Sequence, residues 1–239
     1  MASVLLEVTV LHPADAEAAD AGGADRVELV ARPEEGGFSP EPSQVLAVCR
    51  ATDLPVRVRL RLSPGYSTTG GELSRLIGLA EHYLSNGAEG VTMGFLTREL
   101  EVDVDVTATI ATALDGTRWT FSQAVDAALD LPRAWRRLLG LPGLDAVLTA
   151  GSALGIAHGQ DELIALAESN PAVATRVLAG AGLAAEHVPW LVGAGIRQFC
   201  VGPQVRPGGG WARTHADASY VRSWRLLLDD AVDRVAAAG

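Results

Sequence analysis

Eight short runs of β-branched and other apolar residues recur along this chain of 239 residues, separated by stretches rich in alanine and leucine. Such runs are typical of strands, and the stretches between them are long enough for crossover helices. Their regular alternation predicts a closed parallel barrel with helices outside, the (β/α)8 or TIM barrel. The predicted strands are residues 4–10, 26–30, 56–62, 90–94, 119–122, 146–149, 176–179 and 196–201.

Helix-ending signals support this alternation. The pairs Gly22-Gly23 and Asn86-Gly87 stand where the first and third helices should end, and glycine supplies the positive φ that such a position prefers. The last segment carries apolar residues near helical spacing, so it should lay one face on the barrel. The predicted helices are residues 14–21, 43–50, 72–86, 106–114, 131–139, 160–168, 186–193 and 220–235.

Size and charge limit the domain count and the partners. With 48% hydrophobic residues the chain can bury one sizeable core, so we expect a single domain over residues 1–239. The net charge of −10 repels phosphate backbones and anionic lipid headgroups. Neither nucleic acid nor a membrane is therefore expected as a partner.

The N-terminal residues and the cysteines predict a cytoplasmic location. Residues 1–7 lack the basic start of a signal peptide, and no stretch approaches the ~18 apolar residues of a membrane helix. Cys49 and Cys200 are far apart in the sequence and form no CxxC motif, which fits a reducing cytosol better than a disulfide-bonded secreted protein. All 19 basic residues are arginine, which excludes Schiff-base chemistry at a lysine.

Arginine alternates with apolar residues in the third predicted strand, at Arg57, Arg59 and Arg61. Because helices cover the outside of a barrel strand, these side chains should face the interior or its mouths, where buried charge needs partners. Glu7 and Glu28, in otherwise apolar strands, are the expected partners inside the barrel. Two interpretations stay open: a structural ion-pair network, and a ligand site, which also requires an opening to solvent.

Barrel active sites lie at the C-terminal ends of the strands. Gly180 and Gly182 follow the seventh strand, where backbone N–H groups can hold an oxyanion, although a tight turn alone also needs glycine. Thr149 ends the sixth strand and offers a hydroxyl donor. Asp126 follows the fifth strand and can serve as a general base, as a partner of Arg61 or as a helix cap.

Metal-binding motifs are absent from the sequence. The five histidines show no HxH, HExxH or Cys-His spacing, so no metal ligands are predicted. His12 and His158 follow the first and sixth strands and can reach the mouth. Cys200 is the thiol expected near the interior, where a lone cysteine usually packs as a small apolar residue.

The run Gly22-Gly23-Ala24-Asp25-Arg26-Val27-Glu28-Leu29, followed by Glu35-Gly36-Gly37 and Pro40, resembles the signature of the CutC family. Further matches at every strand extend the resemblance over residues 4–202. It implies a barrel fold, a cytosolic location, homo-oligomers, and a role in copper tolerance and intracellular Cu(I) handling. Fold transfers more reliably than function.

The chain departs from the family pattern at several positions. That pattern implies cysteines where this chain has Thr9 and Val30, a His-Arg pair where it has Ser122 and Gln123, and a histidine where it has Cys200. Cu(I) prefers thiolate and thioether ligands, so the missing thiols argue against direct chelation at that place. The missing His-Arg pair removes a titratable base and a cation.

Three functions therefore stay open, without an assigned catalytic residue. The first is a CutC-like protein of copper homeostasis, with Cu(I) as the ligand that the resemblance implies. The second is a barrel enzyme or binding protein for a small anionic or phosphorylated metabolite, with arginines as clamps and an acid as proton shuttle. The third is a non-catalytic scaffold. The predicted ligand-binding residues are Glu7, Arg26, Glu28, Arg61, Asp126, Thr149, Gly180 and Gly182.

Overall fold

Eight parallel strands pair in chain order, and the last strand pairs with the first, so the sheet closes into a barrel. The computed structural model describes residues 4–211 and 215–238. The predicted TIM-barrel fold is confirmed. The strands are β1 (Leu5–Val10), β2 (Arg26–Leu29), β3 (Val56–Arg59), β4 (Gly90–Met93), β5 (Trp119–Phe121), β6 (Leu144–Thr149), β7 (Val177–Ala179) and β8 (Gln198–Val201).

Helices follow the strands and cover the outside of the barrel. Short 3-10 turns also occur after β2, β5, β7 and β8, at Pro33–Glu35, Gln123–Ala127, Ala185–His187 and Pro203–Val205. In the described part of the chain the α-helices are α1 (Pro13–Gly22), α2 (Pro42–Cys49), α3 (Gly70–Ser85), α4 (Val104–Ala113), α5 (Leu131–Leu138), α6 (Ile156–Ser169), α7 (Pro171–Ala174), α8 (Val188–Gly193) and α9 (Ala218–Ala238). None of these helices combines the length and the apolar character needed to cross a membrane.

Most predicted boundaries agree with the structure within a few residues, and three differ for local reasons. β3 ends at Arg59 instead of residue 62, because the backbone of Arg61 exchanges hydrogen bonds with Ser39 and not with a strand. The helix predicted over 186–193 is divided into a 3-10 turn and α8. The short helix α7 was not predicted; it begins at a proline whose preceding Asn170 caps it, since its side chain accepts a hydrogen bond from the Ala172 N–H.

The last helix packs where an apolar face was predicted. Val221 and Leu228 of α9 are fully buried, and α9 lies against α1 and α8. Gly22 at the end of α1 permits this contact, since a Cβ built there would lie 2.4 Å from the Cβ of Val221. Gly23 follows with φ +89°, the left-handed conformation predicted for the helix end.

The strands separate an outer core from a divided interior. Outward residues such as Leu6 and Val8 join the large apolar core beneath the helices. Inside the barrel, β6 to β8 contribute a second apolar cluster, whereas β1 to β3 contribute buried charges. The apolar cluster comprises Ala146, Leu148, Leu178 and Cys200, and the buried charged residues are Glu7, Arg26, Glu28, Arg57 and Arg59. The interior therefore has an ionic half and an apolar half.

Candidate functional site

A cavity of about 240 Å³ opens to solvent at the C-terminal mouth of the barrel. Its walls come from the C-terminal ends of β1, β2, β3, β6 and β8 and from the loops that follow β2, β5, β7 and β8. The residues that line it are Thr9, Glu28, Val30, Pro33, Gly36, Gly37, Arg59, Gln123, Leu148, Ala181, Gly182, Cys200, Val201, Gly202, Pro203, Gln204 and Trp211. The opening that a ligand site requires is therefore present at the end where barrel sites form.

A buried ion pair forms the charged wall of the cavity. Arg59 donates from Nε to Oε1 of Glu28 over 2.8 Å and from Nη2 to Oε2 over 3.1 Å, and both side chains are more than nine-tenths buried. Burial lowers the pKa of Arg59, but the Glu28 carboxylate more than offsets this, so the guanidinium pKa lies above its ordinary value. The predicted pairing of Glu28 with an arginine of the third strand is confirmed.

A second ion pair lies deeper, below the cavity lining. Arg26 donates from Nε to Oε2 of Glu7 over 2.6 Å, while Oε1 of Glu7 and Nη2 of Arg26 have no hydrogen-bond partner within the described ranges. Burial raises the pKa of Glu7 despite the attraction of Arg26. Glu7 was expected to pair with an arginine of the third strand, and that was wrong. Its partner comes from β2, since Arg26 is level with Glu7 in the strand register.

Arg57 turns away from the cavity toward the floor of the barrel. Its guanidinium bonds Glu89 and Asp145, with Nη2 2.7 Å from Oδ2 of Asp145. Both carboxylates are partly exposed at that end, whereas Arg57 is fully buried. Arg57 therefore belongs to a structural ion-pair network, and Arg59, two residues later on the same face, belongs to the mouth.

Arg61 does not line the cavity itself; it lies at the rim, where its Nη1 is 3.4 Å from the carbonyl oxygen of the lining residue Gly36. The expectation that Arg61 is enclosed in the barrel interior with Glu7 and Glu28 was therefore wrong. The backbone of the half-buried Arg61 exchanges hydrogen bonds with Ser39, in the segment before α2, and not with a strand. Its guanidinium stacks on an aromatic ring of Phe38 at 4.9 Å and donates to the carbonyl oxygen of Ser63.

Cys200 contributes a thiol to the cavity wall. Its Sγ lies 3.5 Å from the hydroxyl of Thr9, and burial, reinforced by the nearby carboxylates, raises the pKa of the thiol well above its ordinary value. One ligand atom each of Glu7, Glu28 and Cys200 lie within 4.8 Å of one another. Among the described residues, these three form the group that could hold a metal ion, although arginines already engage both carboxylates.

Asp126 and Thr149 form a separate contact that does not line the cavity. Asp126 accepts hydrogen bonds from the Thr149 hydroxyl over 2.5 Å and from the backbone N–H of Ala150 and Gly151. Burial raises the pKa of Asp126 to about 6, although these hydrogen bonds lower it. Because its oxygens hold the loop after β6, Asp126 is a positioning residue and does not contact Arg61 or a ligand space.

The glycines after β7 occupy two different places. A Cβ on Gly180 would lie 2.7 Å from a methyl of Leu148, so Gly180 faces the apolar half of the interior. Gly182 lines the cavity with φ +86°, next to Ala181 with φ +57°. Among the described residues, the N–H groups of Ala181 and Gly182 donate to no acceptor. This turn is therefore open to a ligand but brings no charged side chain.

Neither histidine near the mouth lines the cavity. His12 caps α1, because its Nδ1 accepts a hydrogen bond from the Ala14 N–H over 3.3 Å. His158 is exposed on α6.

Several lining residues were not predicted as site residues. Arg59 and Thr9 were accessible to sequence reasoning, since each lies two positions from a predicted inward-facing residue. Gly202 and Trp211 carry no comparable signal. Their contact exists only in the fold: a Cβ on Gly202 would lie 2.3 Å from the Trp211 ring. Trp211 therefore covers Gly202 and forms one wall of the cavity.

The comparisons with known proteins agree with the sequence resemblance. The CutC family model matches residues 4–202. A CutC family protein from Klebsiella pneumoniae strain 342 is 31% identical over 198 residues, covering 81% of this chain and 78% of that protein. A CutC family protein from Caulobacter vibrioides strain NA1000 / CB15N is 32% identical over 207 residues, covering 86% of this chain and 78% of that protein.

A solved structure shares the fold. It is a CutC protein from Streptococcus agalactiae, named provisionally as a copper homeostasis protein, with a TM-score of 0.75 and 21% identity. The match covers 83% of this chain and 98% of the Streptococcus chain. At this identity the structure supports the fold alone, whereas the family model and the two relatives establish ancestry. This chain therefore belongs to the CutC family.

Proposed function

We propose that this chain acts in copper homeostasis, as the name of its Streptococcus relative says of that protein, by binding a small anionic metabolite at the barrel mouth. One observation carries the proposal: the buried Arg59–Glu28 pair lines a cavity that is open to solvent. A purely structural ion pair needs no such opening. Charged groups held in a partly dry cleft are suited to fix a polar ligand.

Direct chelation of Cu(I) is disfavoured by the donors at the mouth. Cu(I) prefers thiolates, and the raised pKa of Cys200 keeps its thiol protonated at neutral pH. The resemblance implies cysteines at Thr9 and Val30, and both positions line the cavity without offering a thiol. On this proposal, the role in copper homeostasis depends on binding the metabolite and not on binding copper.

A metal site at Glu7, Glu28 and Cys200 is the second candidate, because their ligand atoms lie within 4.8 Å of one another. A cation there would bind carboxylates that Arg26 and Arg59 already engage, and it would face both guanidinium charges. The first candidate places an anion beside these charges and is preferred.

The test is an anaerobic Cu(I) titration against a competing chelator. Wild type, Cys200→Ser and Cys49→Ser are compared, Cys49→Ser being the matched control because Cys49 lies on α2, away from the mouth. We expect no stoichiometric Cu(I) binding by any of the three. Binding of one Cu(I) per chain that survives Cys49→Ser and is lost in Cys200→Ser would establish the second candidate.

Three broader proposals rest on the family resemblance and on the net charge of −10. We propose a cytoplasmic location, self-association into a homo-oligomer, and no nucleic-acid partner. Fractionation of cells and light scattering of the purified chain measure the first two. Whether the metabolite is only bound or also converted is decided by incubating it with the protein and analysing the products, and the structure assigns no catalytic residue.

A further inference from the structure

Two arginines converge on one backbone oxygen beside the cavity. Nη1 of Arg59 lies 3.2 Å from the carbonyl oxygen of Gly36, and Nη1 of Arg61 lies 3.4 Å from the same oxygen. Gly36 allows the approach, because a Cβ there would lie 2.9 Å from Nη1 of Arg61. A carbonyl carries only a partial negative charge, so it cannot neutralise two guanidinium groups.

The two arginines differ in how their charges are compensated. Arg59 is paired with Glu28. Within residues 4–211 and 215–238, no carboxylate oxygen lies within 4.0 Å of the Arg61 guanidinium, whose other contacts are the Ser63 carbonyl and the rings of Phe38 and Tyr66. The chain has 29 acidic residues and 19 arginines, so the lack of an ion pair at Arg61 does not result from a shortage of carboxylates. Arg61 thus makes no direct ion pair at the rim, and Glu35 acts on its charge only from beyond that distance.

A third arginine adds to this positive region. The Arg32 guanidinium lies 3.7 Å above the Phe38 ring, and its ion pair with Glu35 is long, at 3.4 Å, and exposed. Burial lowers the pKa of Arg61, and the neighbouring charges of Arg59 and Arg32 lower it further. Tyr66 and Glu35 raise this pKa but offset the lowering only in part. An anion placed between Arg59 and Arg61 would relieve this repulsion.

The opposite side of the mouth offers no such charge. The cavity residues contributed by the loops after β7 and β8 are uncharged in the described chain, and Gly180 faces apolar atoms of Leu148. Backbone N–H groups at Ala181 and Gly182 are weaker attractors than two guanidinium forks.

We infer that the anionic group of the ligand binds on the β2–β3 side of the mouth, between Arg59 and Arg61, and away from the turns after β7 and β8. This inference rests on the proposed function. The rest of the ligand extends across the cavity toward Trp211. The cavity of about 240 Å³ is smaller than the ~300–1,000 Å³ sites of drug-sized ligands. The ligand class is therefore a small molecule that carries one phosphate or carboxylate.

The experiment is isothermal titration calorimetry with three probes that share a carbon skeleton: glycerol 3-phosphate, glycerate and glycerol. The first two distinguish phosphate from carboxylate, and glycerol reports binding without charge. The proteins are wild type, Arg61→Gln, Arg61→Lys, and Arg136→Gln as a matched control on the exposed face of α5. Urea unfolding of each variant checks that the barrel is intact.

We expect one anion to bind to wild type and to Arg136→Gln with equal affinity. Arg61→Gln should weaken binding by about 10- to 100-fold, the range for a lost hydrogen bond to a charged group. Arg61→Lys should lie between them, because it keeps the charge and loses the fork. Anion binding that is unchanged in a folded Arg61→Gln would overturn the inference and leave the proposed function standing. Failure of both anions to bind to wild type would contradict both the inference and the proposed function.

Discussion

Arg59 and Glu28 are joined by two parallel hydrogen bonds, of 2.8 and 3.1 Å, at the wall of the mouth cavity. The pair is almost fully buried, with side-chain exposures of 9% for Arg59 and 1% for Glu28. Removal of one partner therefore leaves the other charge buried without compensation.

Glu28→Leu alone should lower the free energy of unfolding by about 3–5 kcal/mol, the usual cost of breaking a buried pair on one side. The double variant Glu28→Leu with Arg59→Met should recover most of that loss, since two apolar side chains replace two charges. Urea unfolding measures both. If the double variant were as unstable as the single one, the destabilisation would come from packing and not from the unpaired arginine.

The floor network should be separable from the mouth. Arg57→Gln removes the partner of Glu89 and Asp145, which are exposed enough to be hydrated, so we expect a loss of about 1–3 kcal/mol in unfolding free energy. Anion affinity at the mouth should change less than about twofold, because Arg57 and Arg59 share no hydrogen-bond partner. Urea unfolding measures the stability of the variant, and calorimetry on the folded variant measures its anion affinity. A large loss of anion affinity in a stably folded Arg57→Gln variant would show that the floor network and the mouth are energetically coupled.

Gly202 should control the position of Trp211. The nearest obstacle to alanine is the Trp211 ring, 2.3 Å from the new Cβ, and the Cβ of Thr9 follows at 3.3 Å. Gly202→Ala should displace the half-buried ring, shift tryptophan fluorescence and weaken ligand binding with little loss of stability. Gly78→Ala in α3 is the control, because nothing lies within 4 Å of a Cβ built there. This substitution should raise the free energy of unfolding by about 0.5–1 kcal/mol. Equal fluorescence of wild type and Gly202→Ala would refute the contact.

Asp126 should make stability depend on pH. Burial raises its pKa from 3.8 to about 6, so the unfolded chain ionises first as the pH rises. The stability that the neutral carboxyl contributes is full below about pH 4 and is lost as the pH passes 6, with a limit of about 3 kcal/mol. Asp126→Asn does not titrate.

The difference in unfolding free energy between wild type and Asp126→Asn should therefore fall from pH 4 to pH 8. Urea unfolding at pH 4, 6 and 8 measures it, and other titrating groups cancel between the two proteins. A difference that grows with pH would mean that the hydrogen bonds to the ionised carboxylate outweigh its burial.

Sequence periodicity was sufficient to predict the barrel because each strand is an apolar run ending in a turn, and this pattern is local. The alternation of Arg57, Arg59 and Arg61 with apolar residues also correctly predicted a polar face on the third strand. Alternation does not show where a strand ends, and this is why Arg61 was expected inside with Glu28 and lies instead at the rim. Long side chains can also turn toward either end of the barrel, as Arg57 does.

The remaining site features depend on tertiary contacts. Asp126 and Thr149 were predicted as ligand-binding residues and contact each other outside the cavity, because β6 directs Thr149 outward. Trp211 reaches Gly202 through the loop after β8, and no local pattern encodes that contact. Glu28 and Gly182 were predicted from local pattern and do line the cavity.

The central claim is that the mouth takes a small oxyanion and not Cu(I). Native mass spectrometry of the protein incubated anaerobically with equimolar Cu(I) and glycerol 3-phosphate, and in parallel with Cu(I) and glycerate, tests it most directly, since both adducts are resolved in one spectrum. We predict a 1:1 complex with at least one of the organic anions and no bound copper, and loss of that complex in Arg61→Gln. A 1:1 copper complex with neither organic anion bound, abolished by Cys200→Ser, would contradict the claim.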